Sequence, residues 1–227
     1  SGGLFVNVVH AATGHRVADM RPHVLVTGAT GFLGAALVLE LLERTDARVT
    51  CLVRRRDGDE PLARLRGQLA TAMEHYEAGH LHADALGRVG VLVGDVSDRG
   101  LAGAADELGH VDAVWHSAAS LKYRDRDAEE IRASNVTGAD EFNHISTAYV
   151  AGRRAGAIPE APVPPGTETN NQYERSKVDA EAVVEASRMH VRIFRPSIVI
   201  GHSDTLAADS SMGVYGFLRE MHRFVQA

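Results

Sequence analysis

HVLVTGATGFLGAALVLELL, at residues 23–42, is the stretch that decides the fold. Its first five residues form a short apolar run rich in β-branched side chains, which is typical of a strand buried on both faces. A turn containing Gly28, Gly31 and Gly34 follows, and residues 35–42 have the composition and apolar spacing of a helix. The stretch therefore predicts a strand, a tight glycine turn and a helix in direct succession.

The alternation of strand and helix continues along the chain. Residues 61–78 have one apolar helical face, and short apolar runs predict five more strands, at residues 48–53, 89–93, 111–115, 142–147 and 191–194. Strands that alternate with helices form βαβ units with right-handed crossovers. The sequence thus predicts an α/β fold, a doubly wound parallel sheet with helices on both faces.

One spacing in this pattern is too short. A crossover between parallel strands needs at least about ten residues. Asn135 belongs to a predicted crossover helix, yet the fifth strand begins at Phe142, which leaves six residues between them. We therefore expect a break in the chain near residues 138–141, with the numbering closed over it.

Composition excludes several classes of protein. The chain has 227 residues, 44% hydrophobic and 24% charged, which argues against intrinsic disorder and suits one α/β domain. A net charge of -6 argues against nucleic acid as a partner. No apolar run is long enough to span a membrane. The single cysteine, Cys51, suits a reducing cytoplasm, and the scattered histidines predict no metal site.

The glycine turn has the features of a dinucleotide site in a Rossmann-like sheet. Its first glycine permits the tight turn, the second lets a pyrophosphate approach the backbone, and the third lets the helix pack against the strand. The amino end of the helix adds N–H donors and the positive end of its dipole. We expect cofactor contacts from Gly28, Thr30, Gly31, Phe32, Leu33 and Gly34.

The end of the second predicted strand indicates which dinucleotide binds. NAD sites usually place Asp or Glu about 20 residues after the glycines, to hold the ribose 2′-hydroxyl. Here that position carries Val53-Arg54-Arg55-Arg56. A guanidinium at Arg54 is suited to a 2′-phosphate, so the sequence favours NADP(H). The alternative interpretation is a solvated basic loop.

Two further strand ends lie on the carboxyl edge of the predicted sheet, where ligands of open parallel sheets bind. After the third strand, Asp95 can accept from the adenine amino group, with Val96 beside it. After the fourth strand come His116 and the small residues Ser117, Ala118 and Ala119, which let the cofactor pass close to the backbone. His116 is either a proton carrier or, as we favour, a strand-end histidine held by backbone groups.

The strongest catalytic signal is Tyr173-Glu174-Arg175-Ser176-Lys177. Residues four apart lie on one face of a helix. A lysine ammonium beside a phenol favours the phenolate, so Tyr173 could exchange a proton near neutral pH, and Lys177 could also hold the nicotinamide ribose. The predicted fifth strand ends at Thr147, whose hydroxyl could polarise a substrate carbonyl. The alternative is a surface Tyr/Lys pair on an ordinary helix.

These motifs together resemble the extended short-chain dehydrogenase/reductase family. TGATGFLG (27–34), GDV (94–96), HSAAS (116–120), NVTG (135–138), YERSK (173–177) and FRPSIVIG (194–201) occur in that family's order. LVR (52–54), STAYV (146–150) and RPSIVIG (195–201) are similar to the fatty acyl-CoA reductases and the thioester reductase domains of peptide and polyketide assembly lines.

The resemblance implies a role for further residues. Thr147, Tyr173 and Lys177 would form the catalytic triad, and Asn135 would support the lysine through water. Arg64 would join Arg54 at the 2′-phosphate. Pro196 and Ser197 would lie near the nicotinamide.

The reaction implied by the resemblance is the NADPH-dependent reduction of an acyl thioester, on CoA or a carrier protein, to an aldehyde or alcohol. Residues 1–20 would be a tag remnant and N-terminal extension. Residues 21–201 would be the NADP-binding domain with the catalytic residues, and residues 202–227 would begin a small C-terminal substrate-binding portion.

Two other functions remain open from the sequence. One is a dehydrogenase, reductase or epimerase of the extended family that acts on a sterol-like or nucleotide-sugar substrate, because it would share the triad. The other is a catalytically silent NADP-binding sensor or scaffold, against which the intact Tyr173/Lys177 pair argues.

Overall fold

A computed structural model of the protein describes residues 21–81, 83–95, 108–118, 139–187, 189–208 and 214–226. The strands in these ranges are β1 (His23–Thr27), β2 (Arg48–Val53), β3 (Val89–Val93), β4 (Ala113–His116), β5 (Glu141–Ile145) and β6 (His190–Phe194). The α-helices are α1 (Phe32–Arg44), α2 (Pro61–His75), α3 (Ala83–Leu86), α4 (Gln172–Glu185) and α5 (Val214–Gln226). Short 3₁₀ turns lie at Ala78–His80 and Ala148–Ala151.

These strands form one parallel sheet in the order β3-β2-β1-β4-β5-β6. The chain runs outward from β1 to β3, then returns to the other side of β1 and continues to β6. The strand order therefore reverses between β1 and β4, which is where open parallel sheets bind their ligands. The predicted Rossmann-like, doubly wound sheet is confirmed.

Side chains that alternate along the strands build two apolar layers, one on each face of the sheet. The first layer packs strand residues against α1 and α2, and its members include Val24, Val26, Val49, Cys51, Val38, Leu65 and Leu69. The second packs strand residues against α4, and its members include Leu25, Leu52, Val114, Phe142, Ala180 and Val184. Burial raises the pKa of the Cys51 thiol to about 12, as expected of a core cysteine.

Some element boundaries differ from the sequence prediction. The helix predicted over residues 61–78 ends at His75, because Tyr76 leaves the helical conformation and Glu77 is left-handed with φ 54°. The fifth strand ends at Ile145, two residues earlier than predicted, since Thr147 begins the next 3₁₀ turn. The fourth strand is shifted by one or two residues, to Ala113–His116.

Several predictions fall on parts of the chain outside the described residues. The proposed tag remnant at residues 1–20 is one, and the crossover before β5 is another. The chain break expected near residues 138–141 therefore stays a prediction. Among the described residues, none of the helices has the length and apolar content that a membrane crossing requires.

Two helical glycines allow a matched test of the packing between β1 and α1. A Cβ at Gly34 would lie 2.6 Å from the Gly28 carbonyl carbon and closer still to its oxygen, whereas a Cβ at Gly67 in α2 meets nothing within 4 Å. We expect Gly34→Ala to lower the free energy of unfolding by about 1–3 kcal/mol. Gly67→Ala should raise it by about 0.5–1 kcal/mol, through helix propensity.

Urea unfolding followed by circular dichroism measures both changes, provided that the m-value stays constant. A Gly34→Ala variant as stable as the parent chain would contradict the close approach of α1 to the glycine turn.

Candidate active site

The glycine turn leaves the amino end of α1 open to a ligand. Gly28 has φ 78°, a conformation that favours glycine, and its carbonyl accepts a hydrogen bond of 2.9 Å from the Gly31 N–H. No side chain caps α1 at Gly31, and its first turn contains no acidic residue. The N–H groups and the positive end of the helix dipole are thus left for an anion.

The segment after β4 lies directly against this turn. A Cβ at Gly28 would lie 2.7 Å from backbone atoms of Ser117 and Ala118, so only glycine fits. Thr27 strengthens the contact, because its carbonyl accepts from the Ser117 N–H at 3.2 Å and its hydroxyl from the Ala118 N–H at 3.3 Å. Ser117 and Ala118 therefore flank the turn, and their contact with a cofactor stays a prediction, while Ala119 lies outside the described residues.

The predicted adenosine contacts converge at the carboxyl ends of β2 and β3. Arg54 Nη1 lies 3.9 Å from a carboxylate oxygen of Asp95. Arg64, on α2, donates to the Arg54 carbonyl and to the Asp59 carboxylate. Arg54, Arg64 and Asp95 thus share one corner of the carboxyl edge, but Arg64 already has an acidic partner that was not expected from the sequence. Val96 lies outside the described residues.

Thr147, predicted to end the fifth strand, lies two residues after the end of β5. It is buried, and its hydroxyl accepts from the Tyr149 N–H at 3.2 Å, which starts the 3₁₀ turn Ala148–Ala151. The Ala148 N–H donates to the Pro196 carbonyl at 2.9 Å. These bonds hold the segment after β5 beside the segment after β6.

Helix α4 carries Tyr173 in its first turn and Lys177 one turn later. The Asn171 side chain caps the helix by accepting from the Glu174 N–H at 2.9 Å, and the Glu174 carboxylate accepts from the Asn170 N–H at 2.7 Å. Helix α4 contacts the 3₁₀ turn that follows Thr147. Lys177 is 2% exposed. Asn135 lies outside the described residues.

Two buried histidines lie in the same region as Lys177. His116 and His144 are register partners in β4 and β5, and their rings stack with centroids 5.5 Å apart. Burial, reinforced by the positive charge of Lys177, lowers the pKa of His116 to about 3. Burial, then the charges of His116 and Lys177, lowers that of His144 to about 2. Both rings are therefore neutral at physiological pH, which argues against His116 as a proton carrier.

The hydrogen bond of His116 differs from the one expected. The sequence favoured a backbone partner, whereas His116 Nδ1 lies 3.0 Å from the Thr27 hydroxyl. The link connects the β4 end to the glycine turn through side chains. The nearby His144 was missed, because its pairing depends on the register between β4 and β5.

A groove of about 1040 Å³ runs along the edge strand β6. Leu33 and Pro196, both predicted cofactor contacts, lie on its wall together with Ile145, Phe194 and Ala161. Ser197, next along the chain, is exposed. The groove thus joins the start of α1 to the segment after β6.

One group of three potential metal ligands occurs among the described residues, at the amino ends of β4 and β5. His110, Asp112 and Asp140 hold their ligand atoms within 4.8 Å of one another. His110 Nε2 lies 3.5 Å from a carboxylate oxygen of each aspartate. These mutual polar contacts account for the group, which lies at the sheet edge opposite the glycine turn.

Nearly all of this sheet lies within the part of the chain that matches a known protein family. The NAD-binding family described as Male sterility protein matches residues 26–226, most of the chain. The chain belongs to the Male sterility protein family. This membership confirms the resemblance to the extended short-chain dehydrogenase/reductases, in their fatty acyl-CoA reductase and thioester reductase branch.

Relatives of this Male sterility family member include parts of much larger proteins. A linear gramicidin synthase protein of Brevibacillus parabrevis is 31% identical over 205 residues, which cover 80% of this chain and 4% of that protein. Glycine betaine reductase ATRR of Emericella nidulans is 33% identical over 219 residues, which cover 82% of this chain and 16% of that protein.

A solved structure extends the likeness to the fold. The terminal R domain from the myxalamid PKS-NRPS biosynthetic pathway superimposes with a TM-score of 0.73 at 31% identity. The match covers 92% of this chain and 56% of that domain's chain. The chain therefore spans little more than half the length of that R domain's chain.

The neutral state of the buried His144 predicts how the free energy of unfolding depends on pH. The folded state holds His144 neutral down to pH about 2, whereas its unfolded pKa is 6.5. Between these values the unfolded state binds more protons, so the free energy of unfolding falls as the pH falls below 6.5. We expect His144→Leu to reduce this slope by roughly one proton, about 1.4 kcal/mol per pH unit, between pH 5 and 4.

Urea unfolding at a series of pH values measures the slope. Phe142→Leu is the matched control, because it alters the same apolar layer without removing a titratable group and should lower stability equally at each pH. Parallel slopes for His144→Leu and the parent chain would contradict the neutral state of the buried ring.

Proposed function

We propose that the chain reduces an acyl thioester, carried on CoA or a carrier protein, with NADPH as the hydride donor. The observation that carries this proposal is the packing of α4, with Tyr173 and Lys177, against the 3₁₀ turn that Thr147 caps. That turn adjoins the segment after β6, whose Pro196 shares a groove with Leu33 of the glycine turn.

The described residues fit a dinucleotide. The turn at Gly28 and Gly34 has no space for a Cβ, and the uncapped end of α1 offers N–H donors to a diphosphate. Arg54 would hold the 2′-phosphate, with Arg64 alongside it, and Ser117 and Ala118 would border the diphosphate. Bound NADPH would supply the hydride.

The remaining chemistry belongs to the side chains of the proposed triad. The hydroxyls of Thr147 and Tyr173 would donate hydrogen bonds to the thioester carbonyl oxygen and stabilise the negative charge that develops there. Tyr173 would pass its proton to that oxygen, and the buried ammonium of Lys177 would favour this loss of a proton. Asn135 would support Lys177 through water, as the family resemblance implies. Expulsion of the thiol then leaves an aldehyde, which a second round would convert to an alcohol.

Substrate binding is assigned to the C-terminal part of the chain. We propose that residues 202–227 begin the substrate-binding portion, after a cofactor domain at residues 21–201. Helix α5 supports this assignment, because its side chains Leu218, Met221, Phe224 and Val225 are exposed and apolar. Such side chains are suited to an acyl chain or to packing against further protein.

The decisive experiment measures NADPH loss and free-thiol release together, with a panel of acyl-CoA and acyl-pantetheine thioesters. Matched loss of NADPH and release of thiol would support the proposal. NADPH loss with ketones or nucleotide sugars, without thiol release, would support the extended-family alternative. NADPH binding without consumption on any substrate would support the silent sensor.

Replacement of the proposed acid tests the triad. Tyr173→Phe should lower kcat by about 10²–10⁴-fold while NADPH binding is retained, because only the proton donor is removed. Tyr76→Phe is the control, since Tyr76 stacks on His202 at the end of α2. Steady-state rates at saturating NADPH and thioester give kcat. Equal kcat values for Tyr173→Phe and the parent chain would exclude Tyr173 as the acid.

The choice of cofactor is tested at Arg54. Loss of a charge-assisted hydrogen bond costs about 1.5–3 kcal/mol, so Arg54→Ala should raise the KM for NADPH roughly 10–100-fold and leave the KM for NADH nearly unchanged. Arg55→Ala, at the exposed neighbouring position, is the control. An equal effect of Arg54→Ala on both cofactors would contradict a 2′-phosphate contact.

A further inference from the structure

Arg195, the first residue after β6, joins three separate elements through one guanidinium group. Its Nε donates to Glu181 Oε1 at 3.0 Å and its Nη2 to Glu181 Oε2 at 2.7 Å, so the pair is bidentate. Its Nη1 donates to the Ala161 carbonyl at 2.9 Å. The end of β6, helix α4 and the proline-rich segment at residues 159–166 are thereby held together.

Because this ion pair is buried, its two side chains must meet in a specific geometry. The Glu181 side chain is 1% exposed and that of Arg195 is 19% exposed. A carboxylate so deeply buried needs its charge and both oxygens satisfied, which the planar fork of an arginine does and a lysine does not. Because buried ion pairs are often no more stabilising than apolar side chains of similar size, stability alone does not explain the pair. The pair also fixes the position of the elements that it joins.

The Arg195–Glu181 pair restricts the position of α4. Glu181 follows Lys177 by four residues and Tyr173 by eight, which places all three along one side of the helix. Lys177 is 2% exposed and Glu181 is 1% exposed. At a rise of about 1.5 Å per residue, Lys177 stands roughly 6 Å along the helix from the fixed carboxylate. A bidentate anchor at Glu181 therefore limits both rotation and sliding of the helix that carries the proposed catalytic groups.

The third hydrogen bond extends the effect to the groove. Ala161, Pro162 and Arg195 all lie on the groove wall, and Pro196 follows Arg195 directly. The guanidinium thus fixes the proline-rich segment against the same strand end from which the predicted nicotinamide contact begins.

We propose that Arg195 is a positioning residue, which sets α4, and with it Tyr173 and Lys177, against the carboxyl edge and attaches residues 159–166, through Ala161, at the wall of the groove. The inference rests on the proposed function for its catalytic part. Its structural part, the attachment of residues 159–166, is independent of any substrate.

The kinetic test uses Arg195→Lys, which keeps the charge and loses the fork. We expect kcat for thioester reduction to fall about 10–100-fold, while the dissociation constant for NADPH changes by less than about threefold. The pH profile of kcat should shift by about half a unit or more, because the Tyr173–Lys177 geometry changes. A merely structural role would scale kcat equally at every pH.

Arg192, three residues before Arg195 and in the middle of β6, provides a matched control. It pairs with Glu141 at the start of β5: its Nη1 lies 2.6 Å from Glu141 Oε1, and both side chains are more exposed than those of Arg195 and Glu181. Arg192→Lys should change kcat by less than about twofold and leave the pH profile of kcat in the same position as in the parent chain. An Arg195→Lys variant that matches Arg192→Lys in both respects would overturn the proposal.

A second measurement requires no substrate. Glu160 immediately precedes Ala161, so a protease specific for glutamate reports on the attachment of this segment. Cleavage after Glu160 should be several-fold faster in Arg195→Lys than in Arg192→Lys or the parent chain. Equal cleavage rates would overturn the structural part, even if the parent chain reduces no thioester and the proposed function fails.

Glu181→Gln provides the test if Arg195→Lys does not fold. It keeps the size of the side chain and removes the charge that the fork requires. With an unchanged circular dichroism spectrum, it should show the same fall in kcat and the same faster cleavage after Glu160. Full activity and unchanged cleavage in folded Glu181→Gln would overturn the proposal.

Discussion

The close approach of the glycine turn to the segment after β4 is the constraint on which the rest of the structure depends. Backbone atoms of Ser117 and Ala118 occupy the space that a Cβ on Gly28 would need, at 2.7 Å. The Thr27 side chain and carbonyl bond to the same segment. Since β1 and β4 flank the reversal of strand order, this contact sets the depth of the crevice there. A diphosphate can lie against backbone N–H groups because no side chain stands between them.

Helix α4, which contacts β6 and the 3₁₀ turn after β5, buries several charged side chains. Helix α4 buries Glu174, Lys177 and Glu181, three charged residues, beside Ala180 and Val184. Buried charges are costly unless each has a partner of good geometry. The amide groups of Asn170 and Asn171 satisfy Glu174, and Arg195 satisfies Glu181. Because these partners come from the helix start and from the segment after β6, the satisfied carboxylates specify one position of α4 against the sheet.

The fold was predictable from the sequence because its signals are local. The strand, turn and helix at residues 23–42 follow from apolar periodicity and from the conformational freedom of Gly28, which has φ 78°. The placement of Tyr173 and Lys177 one turn apart on the same helix follows from their spacing alone. Helix ends were less predictable, since the end of α2 depends on the left-handed conformation of Glu77 rather than on composition.

The contacts that organise the candidate site were beyond the sequence because they join distant segments. His116 and His144 are 28 positions apart and meet only through the register of β4 and β5. Arg195 and Glu181 meet only because α4 packs beside β6. Arg64 was assigned to a phosphate by its charge, yet Asp59 in the preceding loop also binds it. Charge and residue type indicate a chemistry, whereas the partner that competes for the charge is set by tertiary structure.

The electrostatics of the site follow from these partners. The carboxylates of Glu174 and Glu181 lie on the same buried side of α4 as Lys177, and their oxygens accept hydrogen bonds from Asn170 and Arg195 respectively. The two imidazoles near Lys177 stay neutral because burial and its positive charge both oppose their protonation. A protonated imidazole here would add a second positive charge in a buried region, where charge repulsion is weakly screened. The two histidines therefore fill this buried space near Lys177 with neutral polar groups and add no positive charge to it.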